Sequence, residues 1–437
     1  MNGKAESGIV QRSLSAHSSI GLLCCALLYL ICVTGTAIVL YEEWQRIEQP
    51  AAPEMTSIDA PTVQRAIENV LESESDRATT THVFVHLPTP ALPRTTITTD
   101  TQAFHIDRDG EIAVPEENAW AEFVLALHYR LNLPATIGMT LVGAFGAMIV
   151  ALSISGILAH PRIFRDAFRL RARRGDEVST VDWHNRLAVW TLPFAIAIAL
   201  TGSMIGLFYV SGGSMAATAY SGDSEAAIAP IFGSEPEADA TKAPLANTVP
   251  ALAHMASQFP EIRPSYVILH DPGTVGQHIQ IVGLHSQRLI FGEYYAFDAQ
   301  GNFRGTAGMA DGTIGQQLAA STYNLHFGNY GGLPVKIAYI LFGIALSVVI
   351  ATGTFIWLNK RERRGIPSTL LRSAWWGLVV GVPLALSATL AARMLVGNAA
   401  PFVVIFWLVC LITLGVCIVR GTGASTAGWA SPAKAQG

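Results

Sequence analysis

Six stretches of this sequence, near residues 20–40, 136–158, 187–210, 335–357, 373–394 and 401–420, are apolar over enough length to cross a roughly 30 Å hydrocarbon core as helices. Such a chain has to be read against a bilayer, where only helices and closed barrels satisfy their own backbone polar groups. Charged residues make up only 14% of the sequence, against about a quarter in an ordinary soluble domain. The expected fold is a polytopic α-helical membrane protein.

Lys and Arg in short loops set its orientation. Arg162, Arg165, Arg169, Arg171, Arg173 and Arg174 follow the second span, and Lys360, Arg361, Arg363 and Arg364 follow the fourth. Both loops should be cytoplasmic, which places the N- and C-termini inside and leaves two long segments outside. The first span is apolar for longer than a usual signal peptide and lacks a small-residue cleavage site, so it reads as an uncleaved anchor. Cys24, Cys25, Cys32, Cys410 and Cys417 all fall within the spans, so the external segments carry no disulfide and no CxxC site. No CxxCH, no GxGxxG following a strand and no Walker A loop occurs, and nothing points to nucleic acid. Reducing equivalents, if used, must come from elsewhere.

A tandem repeat organises the chain. Each of the first four spans ends in a small hydroxyl residue followed by glycine: Thr34-Gly35, Ser155-Gly156, Thr201-Gly202 and Thr352-Gly353. His17 precedes Thr34 by 17 positions and His184 precedes Thr201 by the same 17; His128 precedes Ser155 by 27 and His326 precedes Thr352 by 26. Spans one and two therefore form a unit that spans three and four repeat, each enclosing an external α+β segment. In outline, residues 1–40 are the N-terminus and first span, and 41–134 the first external module. Residues 135–210 are the second span, basic loop and third span, 211–333 the second module, 334–360 the fourth span, and 361–437 a helix hairpin with a cytoplasmic tail. Within the modules, Asp-x-x-Gly turns at 104–112 and 295–303 should close hairpins. Residues 211–245 read as a flexible lead-in, and the tail beyond Arg420 as disordered.

A histidine at a membrane helix is costly and needs a reason. One alone is most simply a wet helix end, but here matching positions in both repeats hold histidine, sorted by side. His17 and His184 lie at the cytoplasmic ends of spans one and three; His128 and His326 lie at the external ends of spans two and four. In an up-down-up-down bundle these are diagonal pairs, and two facing imidazoles are a standard way to hold haem iron with no open position. Two haem groups, bound non-covalently, would act as relay points across the bilayer. Zinc would want ligands converging at one point, and a proton relay would want carboxylates inside the spans. His160 has no repeat partner; it is an alternative ligand in place of His17, a ligand of a further haem, or a contact for a haem propionate. Pro134 and Pro334 mark a kink or the true start of their spans. His82, His86, His105, His270, His278 and His285 lie in the external segments and read first as structural.

These motifs resemble the PepSY-associated transmembrane family, which includes iron-regulated membrane proteins and siderophore-iron reductases of the Gram-negative inner membrane. The residues that carry the resemblance are His17 with Thr34-Gly35, LALHYRLNLP around His128, SGILAHPRIFRDAFRLR around His160, DWHNRLAVWTLPF around His184, and NLHFGNYGG around His326 with ATGTFIWL after it. The resemblance implies external PepSY modules, haem b as cofactor, and one-electron reduction of ferric siderophore iron outside the membrane, with quinol or a cytosolic reductase as electron donor. The alternative is a non-catalytic sensor or inhibitor whose PepSY modules bind a periplasmic protein. A transporter would need broken helices or polar groups at the membrane midplane.

Overall fold

The computed structural model describes residues 2–168, 177–233, 236–285, 289–290 and 292–428. In chain order, α1 (Asn2–Ile38), α2 (Tyr41–Glu48) and α3 (Ala60–Ser73) lead into β1 (His82–His86), β2 (Thr95–Thr98), β3 (Ala103–Ile106) and β4 (Ile112–Pro115). Then come α4 (Ala119–Arg130), α5 (Ala135–Ala159), α6 (Ile163–Asp166), α7 (Glu177–Trp190), α8 (Leu192–Gly206), α9 (Phe208–Ala219), α10 (Ser224–Phe232) and α11 (Thr248–Gln258). The strands β5 (Ile262–His270), β6 (His278–His285), β7 (Glu293–Phe297) and β8 (Phe303–Thr306) follow, and α12 (Ile314–Phe327), α13 (Leu333–Arg363), α14 (Thr369–Val396) and α15 (Phe402–Gly428) complete the chain. These elements sort into two compact units, one of residues 1–39, 119–207 and 333–437, the other of residues 40–118 and 208–332.

The first unit is helical. Among the described residues, five of its helices are long and apolar enough to cross a membrane, and the pair Thr180–Trp190 and Leu192–Gly206 makes a sixth span if its two arms, bent by 64°, count as one. Large apolar side chains such as Leu141, Ile154, Leu341, Leu411 and Ile412 lie exposed on these helices, as lipid-facing residues do. The protein is a multi-pass membrane protein. The third span is not the straight helix its unbroken apolar run suggests. Pro193 stands in the first turn of α8, where its missing N–H ends the ladder continuing from α7.

Around the bundle, α1 packs on α5 and α13, while α7 packs on α13 and α8 on α5. The first and third spans are thus diagonal to one another. Small residues set the crossing of α5 and α8. A Cβ on Gly206 would stand 2.7 Å from the Gly143 Cα, and Ser203 Oγ donates to the Gly143 carbonyl at 3.0 Å. The C-terminal hairpin, α14 with α15, is tied into the bundle rather than appended to it. Trp375 Nε1 donates to the Ala351 carbonyl at 3.1 Å, Tyr29 Oη to Val379 O at 2.9 Å, and Trp120 Nε1 to Thr389 Oγ1 at 3.0 Å. Of the basic loop, Arg162 and Arg165 are described, whereas Arg169, Arg171, Arg173 and Arg174 lie outside the described residues. Helix α15 runs past Arg420 to Gly428, and the tail beyond it also lies outside them.

The second unit is one antiparallel sheet in the order β4-β3-β2-β1-β5-β6-β7-β8. Each half contributes a helix and a four-stranded meander, and the halves join where β1 pairs with β5, His82 opposite His270 through to His86 opposite Tyr266. Strand alternation puts Val83, Val85, Ile97, Val267, Leu269, Ile279 and Ile281 on one face. There they pack with Val63, Ile67 and Val70 of α3 and with Ala251 and Met255 of α11. Asp59 and Asn247 cap those helices, accepting from Thr62 N and Val249 N. The two hairpin turns are copies. Asp107 Oδ1 accepts from Asp109 N and Glu111 N, and Asp298 Oδ1 from Gln300 N and Asn302 N; Gly110 and Gly301 follow at φ 85° and 79°. The segment read as a flexible lead-in is instead partly helical. It forms α9 and α10, the latter capped by Asp223, which accepts from Ala226 N.

Two buried histidines make this unit acid-sensitive. Burial, with Arg94 and His86 nearby, brings His105 down to about 4; burial, with His278 and His82, does the same to His270. A folded-state value below the unfolded 6.5 means that the unfolded chain binds more protons between about pH 6.5 and 4. The stabilisation from the neutral rings is therefore complete above about 6.5 and is lost as pH falls through that window. The melting temperature of this unit, followed by its β-sheet circular dichroism, should fall between pH 7 and 4.5. His105→Gln should flatten the dependence, and an equally steep profile in that variant would contradict the assignment.

Candidate functional site

The diagonal packing of the first and third spans brings His17 on α1 and His184 on α7 together. Their ring centroids lie 6.4 Å apart with the planes 81° from parallel. Each ring is held from behind by the neighbouring helix. His17 Nδ1 lies 3.0 Å from the Leu152 carbonyl and 3.3 Å from Ser155 Oγ; His184 Nδ1 lies 2.9 Å from the Val349 carbonyl and 3.2 Å from Thr352 Oγ1. A carbonyl only accepts, so Nδ1 carries the hydrogen in both rings and Nε2 keeps a bare lone pair. The chemistry available is that of two neutral imidazoles offering ligating nitrogens across a half-buried gap.

His128 has the same surroundings. It lies near the end of α4, and its Nδ1 reaches the Ile31 carbonyl at 3.0 Å and Thr34 Oγ1 at 3.5 Å. Three hydroxyl–glycine pairs of the repeat, Thr34-Gly35, Ser155-Gly156 and Thr352-Gly353, are therefore seats for histidines. Gly35, Gly156 and Gly353 each face the ring they seat, and a Cβ there would meet the ring's Cε1 at 2.6, 3.3 and 3.1 Å respectively. Thr201 makes the same intrahelical bonds, to Ala197 and Ile198, as the other three hydroxyl residues make in their helices.

His326 lies in the last turn of α12, within the second unit, where Thr313 and Gln316 form a capping box and Gly328 ends the helix at φ 71°. His128 and His326 thus precede their spans on separate helices rather than standing within them. Pro134 is the N-cap of α5, and Pro334 lies in the first turn of α13, so both prolines mark the true starts of those spans. His160 is an exposed residue at the C-cap of α5 whose N–H donates to Ile157 O at 3.2 Å, within electrostatic reach of both rings of the pair.

Several external histidines have polar partners of their own. His105 bonds Thr96 Oγ1 at 2.9 Å and Gln49 Oε1 at 3.1 Å, and His270 bonds Gln280 Oε1 at 3.2 Å while stacking on His278 at 4.3 Å. His82 bonds Thr81 Oγ1 at 2.8 Å, His285 lies 3.5 Å from Tyr295 Oη, and His86 packs against the Tyr266 ring at 4.6 Å. Such contacts fit the structural reading of these residues.

Haem fits the facing pair. His17 and His184, with ring centres 6.4 Å apart, are the residues that would hold it. A porphyrin supplies the remaining donors, so two histidines suffice; no cluster of three or more His, Cys, Asp or Glu able to hold a metal occurs among the described residues. Sequence reasoning passed over Arg186. It is buried two residues beyond His184, and its Nη2 has no hydrogen-bond partner among the described residues. Its unpartnered nitrogen calls for an anion, such as the carboxylates a haem would carry. A single arginine directly before the apolar run of the third span was the available signal.

Comparison with known proteins adds the following. The family described as the PepSY-associated TM region matches residues 14–360. An uncharacterized protein of Pseudomonas aeruginosa is 26% identical over 262 residues, which cover 54% of this chain and 64% of that protein.

Proposed function

This chain belongs to the PepSY-associated transmembrane family, and from that premise we propose that it is a di-haem b electron-transfer protein of the bacterial inner membrane that reduces ferric siderophore iron in the periplasm. The observation that carries the proposal is the facing pair His17 and His184, 6.4 Å apart, each with Nδ1–H committed to a carbonyl. On this reading their bare Nε2 atoms would hold one haem, and His128, seated on α1, would serve the second. Haem bound in this way supplies a one-electron ferric–ferrous couple.

The protein's share of the work is positional. Ligation by two imidazoles would favour electron transfer over oxygen chemistry. The seats behind the rings fix the tautomer, and Arg186 supplies a donor for a carboxylate of the cofactor. One electron enters on the cytoplasmic side, from quinol or a cytosolic reductase. One electron leaves to a ferric siderophore on the other side, and ferrous iron is held more weakly by the hard oxygen donors it leaves behind. No general acid or nucleophile is required, and the anchoring partner of the helices is membrane lipid.

A direct assay follows. Protein reduced with dithionite, freed of excess reductant and kept anaerobic should lose its reduced spectrum on mixing with a ferric siderophore, and not with the iron-free ligand. A reduced spectrum that persists in the presence of the ferric complex would remove the reductase reading.

A further inference from the structure

The three described histidine seats share one register. In each, the histidine Nδ1 reaches the carbonyl three residues before the hydroxyl residue: Leu152 before Ser155, Val349 before Thr352, Ile31 before Thr34. In an α-helix that carbonyl already accepts from the N–H four residues on, and the residues there are Gly156, Gly353 and Gly35. A carbonyl oxygen has two lone pairs. The absent Cβ leaves open the side from which a ring approaches the second one, since a Cβ at any of these glycines would press on the ring. The hydroxyls in turn donate within their own helix, Ser155 to Ala151 O at 2.7 Å, Thr352 to Val348 O at 2.7 Å and Thr34 to Leu30 O at 2.8 Å. That directs an oxygen lone pair toward the ring nitrogen.

Resting on the di-haem reading, we infer that Ser155 and Thr352, each with its following glycine, are positioning residues that set the redox poise of the His17/His184 site. A ring whose Nδ1–H is shared between a carbonyl and a hydroxyl is a stronger electron donor through Nε2, and stronger donation favours the ferric state. Removing the hydroxyl leaves the carbonyl bond, so the ring stays seated while its donation weakens. The seat thus acts on the midpoint potential rather than on whether the ring is present.

The test uses the full-length protein with Ser155→Ala and Thr352→Ala, and with Ser155→Thr and Thr352→Ser as rescue variants. The readouts are haem content, the midpoint potential of each haem and the ferric low-spin electron paramagnetic resonance signal. Expected is full haem content with an upward shift in the potential of one haem and a moved signal in each alanine variant, and near wild-type values in the rescue variants. Unchanged potentials and signals in both alanine variants at full haem content would overturn the inference, as would a shift that the rescue variants fail to reverse. Wild-type protein that takes up no haem would instead sink the underlying reading. In that case the imidazole ¹⁵N resonances of His17 and His184 still report the tautomer, and a hydrogen found on Nε2 rather than Nδ1 would refute the seat itself.

Discussion

Replacing His184 with alanine should remove one haem and leave the other, taking the pigment from roughly two haems per chain to roughly one. The expectation rests on the geometry of one pair: His17 and His184 face each other at 6.4 Å, and a single imidazole leaves an open, weakly held site. His128 is seated independently on α1, through Ile31 and Thr34, so its haem should survive in the variant. His17→Ala should give the same loss. His160→Ala should not, because His160 is exposed at the C-cap of α5, whereas His17 and His184 are each seated on a carbonyl and a hydroxyl. A His184→Ala protein that keeps both haems, or a His160→Ala protein that loses one, would break the assignment.

The second large effect lies in the packing that brings the pair together. Helices α5 and α8 cross with their backbones in contact at Gly143 and Gly206. A Cβ on Gly206 would stand 2.7 Å from both the Gly143 Cα and the Met139 carbonyl oxygen, and backbone atoms cannot swing aside as a flexible side chain can. Gly206→Leu should force the helices apart at a cost at or above the roughly 3 kcal/mol that overpacking commonly reaches. Because α8 continues from α7, the displacement should also disturb the His184 ring. The variant should melt well below the wild-type protein in detergent and bind less haem, whereas Gly212→Ala, which meets nothing within 4 Å, should behave as wild type. A Gly206→Leu protein with wild-type melting and pigment would show that the crossing is looser than described.

Much of this was legible in the sequence because it is local or periodic. The apolar runs marked the spans, the Asp-x-x-Gly turns marked both hairpins, and the repeat spacing picked out the histidines and the hydroxyl–glycine pairs that contact one another. What the spacing could not convey was which helix serves which. It tied His17 to Thr34 in its own span, whereas the structure seats His17 on Ser155 and gives Thr34 to His128. That exchange is a contact between helices, and one-dimensional spacing does not encode it. The joining of the two modules into one sheet was hidden for a related reason. Alternation in β1 and β5 says which side chains face the core, not which strand each will pair with. In the third span the continuous apolar run masked the break at Pro193, because hydropathy is blind to a missing N–H.

The measurement that bears most directly on the central claim is an optical spectrum of the detergent-purified, full-length protein, oxidised and dithionite-reduced, with a pyridine haemochrome assay for stoichiometry. A reduced b-type α-band with roughly two haems per chain is the predicted result. A colourless protein, expressed with ample haem, would contradict it, leaving the facing histidines as structural residues in a membrane-anchored sensor.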